Sequence, residues 1–355
     1  MSRQEHGGGL AARAAGWLRG SWGVRPFGSY RVRLAVQVGF VLLCILLGAQ
    51  FGRFLAAARE GALPLPARPP GVEGFLPISG LMGLVDWAYG GTLNAIHPAA
   101  TVLLLLFLAI SLLLRKAFCS WICPVGFLSE SLARLGQRFF GRNFRPHRFV
   151  DIPLRSLKYL LLGFFVWAIW QMSPAALRAF IESPYNRVSD VKMYLFFARI
   201  GTTAAVVLVA LAAASVFVQG AWCRYLCPYG ALLGLFSRFS PARIRRNDDA
   251  CVDCGLCDRV CMARLPVSRV EEVRSVECTG CLDCVAVCPV GPALTAGVRR
   301  RKIGPIAFGV AVVLLFLAGY GAARWSGKWG NEIPDREYIE RIQKIDDPAY
   351  QHPGA

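Results

Sequence analysis

Five long apolar stretches without a single charged residue constrain the fold of this 355-residue chain more than any other feature. An uncharged apolar run of about 18 residues or more is long enough to cross the hydrocarbon core of a bilayer as a helix. An isolated strand in lipid would leave its backbone amides unpaired, so helices are the expected form. Only 17% of the residues are charged, against roughly 25% in soluble domains. The sequence therefore predicts five transmembrane helices, at residues 34–51, 93–114, 159–177, 200–218 and 303–323.

The net charge of +18 is distributed very unevenly along the chain. Residues 1–33, 115–158 and 219–302 hold 28 of the 40 Lys and Arg residues, and these segments lie on one side of a five-helix topology. An excess of Lys and Arg marks the cytoplasmic side of a membrane protein. We therefore expect a membrane protein with a cytoplasmic N-terminus, cytoplasmic basic segments and a C-terminal tail on the outside. Anionic lipid head groups then balance the charge, and nucleic acid is not an expected partner.

A duplicated motif follows the second and the fourth predicted helix. Residues 117–128 (AFCSWICPVGFL) align without gaps on residues 221–232 (AWCRYLCPYGAL). Both copies contain C-x-x-x-C-P, formed by Cys119 and Cys123 and by Cys223 and Cys227. Residues four apart share one helix face, and the proline ends or restarts the helix beside them. The repeat predicts two similar helical hairpins, at 34–114 and 159–218, and duplicated membrane halves often place a site at their interface.

Eight further cysteines form two runs with the spacing of a bacterial two-cluster ferredoxin. In that spacing, three thiolates of each run hold one 4Fe–4S cluster and the fourth reaches the other cluster. We call this exchange of the fourth cysteine between the two runs the crossover. It predicts two sets of four ligands: a first set of Cys251, Cys254, Cys257 and Cys288, and a second set of Cys278, Cys281, Cys284 and Cys261. Paired C-x-x-C motifs also bind zinc, which is the alternative interpretation. Met262 stands where the first run would have proline, which leaves the turn after Cys261 open.

The role of the duplicated cysteines is less determined by the sequence. Four sulfurs suffice for a third 4Fe–4S cluster or for two redox-active dithiols, whereas small apolar packing residues are the alternative. Cys44 lies alone among Leu and Ile residues in the first predicted helix, and we interpret it as packing.

The order of helices, the duplicated C-x-x-x-C-P and the paired ferredoxin runs resemble the NapH/NosR-type membrane iron–sulfur proteins over residues 30–300. The resemblance implies the membrane component of a quinol dehydrogenase, which passes electrons from the quinone pool toward a periplasmic reductase or its maturation system. CcoG-type assembly proteins, linked to copper reduction for respiratory oxidases, share the same parts and are the nearest alternative. A redox-sensing regulatory membrane protein is the third hypothesis.

The fold class expected from these features is an all-α polytopic membrane protein with an inserted α+β ferredoxin-like domain at residues 243–302. That insert has too little apolar sequence to fold on a core of its own, so cluster binding should supply its folding free energy. The chain contains no P-loop, no G-x-G-x-x-G and no G-x-S-x-G, so nucleotide and hydrolase chemistry have no support.

Two features at the predicted periplasmic side complete the expectations. Quinol oxidation needs a group that accepts a proton, and His97, beside the second predicted helix, is the candidate catalytic residue. In the tail, 324–355, Asp335 can cap a short helix that places Tyr338, Ile342 and Ile345 on one stripe. Such a short helix is not stable alone in water, so the tail is expected to dock onto a periplasmic partner or onto the membrane.

Overall fold

The computed structural model describes residues 29–90, 92–141, 143–144, 146–298 and 301–351. Residues 1–28 of the predicted basic N-terminal segment lie outside the described part, as do the last four residues of the tail.

The first half of the chain contains one very long helix and three shorter ones. The long helix α1 has 32 residues, which corresponds to about 48 Å. The second predicted membrane helix begins later than expected, because Pro98 occupies the first helical position, where its missing N–H costs nothing. The elements in order are α1 (Ser29–Glu60), α2 (Pro77–Gly90), α3 (Pro98–Leu114), a first π-helical turn (Phe118–Ile122) and α4 (Pro124–Phe140).

The second half repeats this order with more interruptions. The third predicted helix ends at Trp170 rather than residue 177, because Ser173 caps a new helix by accepting a hydrogen bond from Ala176 N. The elements are α5 (Arg148–Trp170), α6 (Pro174–Ile181), α7 (Pro184–Arg187), α8 (Ser189–Ala198), α9 (Thr202–Phe217), a second π-helical turn (Trp222–Leu226) and α10 (Pro228–Ser237).

The cysteine-rich insert is a small α+β domain. Its three-stranded antiparallel sheet has the order β1-β2-β3, and β1 pairs with β2 from Ala242 opposite Val298 to Arg246 opposite Leu294. After the domain the chain forms a last apolar helix and a short amphipathic one. The elements are β1 (Ala242–Arg246), α11 (Leu256–Val260), α12 (Asp283–Val287), β2 (Leu294–Val298), β3 (Arg301–Lys302), α13 (Pro305–Trp325) and α14 (Asp335–Gln343).

By length and composition, three helices can cross a membrane: α1, α5 and α13. The pair α8 and α9 gives a fourth crossing if it counts as one span, although it is bent by 76°. The apolar helix α3 has only 17 residues. The described part of the chain therefore supports a helical membrane protein with three to four candidate spans, and the remaining expected span, at residues 93–114, corresponds to the shorter helix α3.

The two ends of α1 carry different parts of the molecule. At its start, Arg33 pairs with Asp283 of the cysteine-rich domain at 2.9 Å, and we call this side the cluster end. The domain has no separate core, as expected: Ile244 and Leu294 belong to one cluster of buried residues with α3 and with Phe308 of α13. The other end of α1 packs against the C-terminal tail, and we call this side the tail end.

The tail docks onto its own chain, which corrects the expectation that its apolar stripe binds a partner or the membrane. Tyr338 and Ile342 are each 2% exposed, and the ring of Tyr338 packs edge-on against Phe54 at 5.3 Å. Pro334 occupies the N-cap position, so Asp335 does not cap the helix. The expected helix is present, but α1 covers its apolar face because α1 extends beyond the predicted span.

Candidate functional site

The two ferredoxin-type runs adopt the same backbone path. In each run the residues on both sides of the second cysteine have positive φ: Asp253 and Gly255 in the first, and Gly280 and Leu282 in the second. A left-handed conformation is costly for Asp and Leu, so the surrounding structure must impose it. Each loop then leads into a short helix, α11 or α12, that carries the third cysteine. The backbone of each run therefore forms a loop that wraps around one centre.

The structure brings the eight cysteines together in two groups of four. Cys251, Cys254, Cys257 and Cys288 line one small cavity. In the second set, burial raises the pKa of Cys284, and the neighbouring thiols of Cys281, Cys278 and Cys261 raise it further. Cys261 therefore lies with the cysteines of the second run, although it is the last cysteine of the first run in sequence.

The donor chemistry of both sets fits 4Fe–4S clusters, because each set brings four thiols and no competing nitrogen or carboxylate ligand is needed. In the part of the chain that the structure describes, no three His, Cys, Asp or Glu side chains converge as the ligands of a single metal ion would.

Each C-x-x-x-C-P motif forms one π-helical turn followed by a kink. Cys123 N donates to Phe118 O at 2.9 Å, and Cys227 N donates to Trp222 O at 3.0 Å. The proline that follows forces the second cysteine into an extended conformation and then begins the next helix. Such π turns are frequent at functional sites. Gly126 is required in the first copy, because a Cβ there would lie 2.1 Å from Cys119 O.

The four duplicated thiols lie close together on the wall of one cavity. Burial raises the pKa of Cys119, Cys123 and Cys223 to about 12, and neighbouring thiols of the same group, including Cys227, add to each shift. The two hairpins therefore bring their motifs to a single place at the cluster end, as the repeat predicts.

Hydrogen bonds join both π turns to the second set of cysteines. Ser120 Oγ donates to Thr279 O at 2.7 Å and Trp121 Nε1 donates to Gly280 O at 3.1 Å, so the first turn holds the loop between Cys278 and Cys281. On the other side, Arg224 Nη1 donates to Ala263 O at 2.8 Å. Gln219 Nε2 lies 2.9 Å from the sulfur of Met262, the residue that replaces proline after Cys261. The second set thus adjoins the duplicated thiols.

A cavity of about 1130 Å³ runs from the tail end to these thiols. Arg68 and Tyr320 line it at the tail end, and Cys281 of the second set lines it at the cluster end. Its middle is formed by apolar side chains of α1, α3 and α13, including Phe40, Leu47, Leu103, Phe107 and Phe316. Cys44, which we had interpreted as packing, is half-buried and lines the same cavity.

Two buried lysines share one carboxylate beside the four thiols. Lys158 Nζ lies 2.7 Å from both oxygens of Glu277, and Lys116 Nζ lies 3.3 Å from one of them. Burial alone would raise the pKa of Glu277, but Lys116 and Lys158 lower it to about 2, so this carboxylate is ionised at neutral pH. No sequence motif contains these three residues. The available signals were a lysine at the edge of a predicted span and an acid directly before Cys278.

His97 lies at the tail end and is 5% exposed, but it does not belong to the cavity lining. Its Nε2 lies 2.7 Å from Asn186 O, and its Nδ1 lies 3.4 Å from an oxygen of Glu73. Glu73 and Asp190 are both paired with Arg68. The structure therefore places His97 in a buried ionic network behind the cavity wall.

Comparison with known proteins gives matches along most of the chain. A family model described as a 4Fe–4S binding domain matches residues 96–143 and 200–247, the two C-x-x-x-C-P copies, and a model described as a 4Fe–4S dicluster domain matches residues 243–290. The putative electron transport protein YccM of Escherichia coli is 47% identical over 283 residues, which are 78% of this chain and 79% of that protein. The chain belongs to the NapH/NosR-type family of membrane iron–sulfur proteins.

Two further relatives carry the two names by which the family is described. The ferredoxin-type protein NapH of Haemophilus influenzae is 28% identical over 55% of this chain and 66% of its own length. The regulatory protein NosR of Pseudomonas aeruginosa is 33% identical over 56% of this chain but only 28% of its own length. No solved structure matches significantly. The chain is thus a 4Fe–4S, ferredoxin-type electron transport protein of the membrane.

Proposed function

We propose that this chain oxidises quinol in the apolar cavity and passes the electrons through iron–sulfur clusters to a partner protein. The observation that carries this proposal is the cavity itself, which connects the apolar middle of the helix bundle with the duplicated thiols and with Cys281. Its volume of about 1130 Å³ slightly exceeds the usual range of ligand sites, which suits a head group with an attached lipid tail.

The chemistry requires two electron acceptors and two proton acceptors for each quinol. Oxidation of one quinol to quinone releases two electrons and two protons, so two clusters, each accepting one electron, complete the balance. Both protons pass to the aqueous buffer, because the carboxylates that line the cavity are held by cations: Glu130 by Arg33, and Glu277 by Lys116 and Lys158.

A third cluster at Cys119, Cys123, Cys223 and Cys227 is part of this proposal. The family model that matches both motif copies is described as a 4Fe–4S binding domain, and the four thiols line one cavity. Disulfide exchange needs thiolates, whereas burial raises the pKa of Cys119, Cys123 and Cys223 to about 12, so the dithiol alternative is disfavoured. When bound, each cluster supplies a one-electron acceptor whose potential depends on its hydrogen bonds and surroundings.

The contacts suggest an order for the three ligand sets. The duplicated thiols face the cavity, the second set touches both π turns, and the first set lines a separate cavity of its own. Electrons would therefore enter at the duplicated thiols and leave from the first set. The proposed acceptor, a periplasmic reductase or its maturation system, rests on the family resemblance. A deletion strain in which a respiratory oxidase lacks its metal, while quinol-linked reduction continues, would instead indicate an assembly reductase.

A blocked cavity tests the proposed function. Full-length protein in nanodiscs is mixed anaerobically with decylubiquinol or menadiol, and cluster reduction is followed by electron paramagnetic resonance (EPR). Leu47 lines the cavity, whereas its neighbour Leu46 is 66% exposed on the outer surface of α1. We expect Leu47→Trp to slow reduction by quinol at least tenfold while dithionite still reduces the clusters, and Leu46→Trp to have no effect. Unchanged quinol reduction in Leu47→Trp would contradict a quinol site in this cavity.

A further inference from the structure

The ionic group formed by Lys116, Lys158 and Glu277 has more positive than negative charge in a buried place. Lys158 is fully buried and Lys116 is 4% exposed, yet one carboxylate serves both. Tyr159 donates a hydrogen bond to Glu277 at 3.1 Å, which orients the carboxylate without adding charge. A buried cation without its own counter-charge is expensive, so this arrangement calls for a further anion nearby.

Neighbouring charged groups do not supply that anion. Arg224 approaches Lys158 from the second π turn, but it pairs with Asp151 through two hydrogen bonds of 2.9 and 2.8 Å. Asp151 also pairs with the partly exposed Arg155 at 3.1 Å. Because Asp151 is already shared between two arginines, the surplus positive charge of the two lysines remains.

The duplicated thiols lie within electrostatic reach of this surplus charge. Burial dominates the pKa of Cys119, Cys223 and Cys227, and Lys116 opposes that effect at all three. Lys158 does the same at Cys119 and Cys227. Both lysines therefore lie within electrostatic range of the thiols, and Lys116 and Glu277 line the same cavity as the four thiols.

We propose that Lys116 and Lys158, oriented by Glu277, are positioning residues that supply the counter-charge of an anionic iron–sulfur centre at the duplicated thiols and raise its reduction potential. The inference rests on the third cluster of the proposed function. A cluster with four thiolate ligands is anionic and gains one more negative charge on reduction, so a fixed cation stabilises the reduced state more than the oxidised state. The negative charge of Glu277 offsets part of this stabilisation of the reduced state. Glu277 directly precedes Cys278, so it also connects the lysines to the second set of cysteines.

The sign of the charge change provides the test. Full-length protein is purified anaerobically, its iron is counted, and each cluster signal is titrated by EPR against redox mediators. Lys116→Gln and Lys158→Gln should lower the midpoint potential of the signal assigned to the duplicated thiols, whereas Glu277→Gln should raise it. Tyr159→Phe removes a hydrogen bond and no charge, and it serves as the matched control with a smaller shift than either lysine variant.

The signal is assigned in a Cys223→Ser background, where the centre at the duplicated thiols is lost and the charge variants should no longer produce the larger shift. Midpoint potentials that shift in the same direction in the lysine and glutamate variants would contradict the proposed counter-charge. An unchanged midpoint potential in a variant with full iron content would contradict it as well. If Lys158→Gln does not fold, Lys116→Gln gives the same test from a side chain outside the helices. A wild-type protein with about eight irons instead of about twelve would refute the third cluster itself, and with it this inference.

Discussion

Among single-residue changes, substitutions of the four duplicated cysteines distinguish cluster binding from packing most directly. Serine keeps the volume of cysteine but provides no thiolate for metal ligation. We expect each single Ser substitution at Cys119, Cys123, Cys223 or Cys227 to reduce iron from about twelve to about eight atoms per chain and to abolish reduction by quinol. Because the four act as one unit, the quadruple variant should lose no more than a single one. Iron analysis and quinol-driven EPR measure both effects.

Cys44 is the control for this series, since it lines the same cavity but lies on α1, away from both motifs. Cys44→Ser should keep all the iron and the quinol-driven rate. Small, additive losses of stability in the four Ser variants, with electron transfer preserved, would assign those cysteines to packing.

His97 gives a second prediction for single residues. Its buried network contains two carboxylates and one arginine, so removing a partner leaves a buried charge unpaired. Arg68→Ala should cost about 3–5 kcal/mol of stability, because Glu73 and Asp190 both lose the arginine that pairs with them. Because His97 is absent from the cavity lining, His97→Gln should lower thermal stability while quinol-driven reduction per cluster stays within about twofold of wild type. Loss of quinol oxidation with normal stability and full iron would establish His97 as catalytic.

For helices and strands, the sequence predicts where apolar helices lie better than where they end. The uncharged run at 159–177 continues past Trp170, but Ser173 and Pro174 begin a new helix within it. Similarly, the apolar run at 93–114 contains Pro98, and the helix starts there. Both breaks follow from cap and proline chemistry that an apolar window ignores. The bend of 76° between α8 and α9 lies at residues 199–201, where Arg199 and Gly201 flank the start of the uncharged run at 200–218.

The docking of the C-terminal helix α14 depends on contacts with residues far away in the sequence. Its apolar stripe is readable in the sequence, but the surface that it covers, around Phe51 and Phe54, looks like any lipid-facing part of α1. Ile342→Ala should cost about 2–5 kcal/mol, because it leaves a cavity in a fully buried contact. Glu340→Ala, exposed on the same helix, should change stability by less than about 0.5 kcal/mol. Thermal unfolding in detergent, with iron content as the internal check, distinguishes the two variants. Equal stability in both would mean that α14 does not stay docked.

Across the whole molecule, the sequence shows the cysteine motifs but not the cavity that connects them. Cysteine spacing depends on local geometry, so the two ferredoxin sets and the duplicated motifs were visible in the chain. The cavity is formed by side chains of α1, α3 and α13 that meet only in the folded bundle, and none of them belongs to a motif. For the same reason Lys116, Lys158 and Glu277 became recognisable as a group only through their contacts.

The arrangement of the whole chain across the membrane is the last prediction. The cysteine-rich domain contacts the start of α1 through Arg33 and Asp283, whereas Tyr338 of the tail contacts the other end of α1 at Phe54. A helix of about 48 Å exceeds the roughly 30 Å hydrocarbon core, so these two ends lie on opposite sides of a bilayer that α1 crosses. The described parts of the basic segments 115–158 and 219–302 lie with the domain, which predicts that this side is cytoplasmic. An alkaline phosphatase reporter should be active when fused after Ala355 and inactive when inserted after Gly141, in the exposed connection between α4 and α5. Activity at both positions, or at neither, would mean that the helices between them cross the membrane an even number of times.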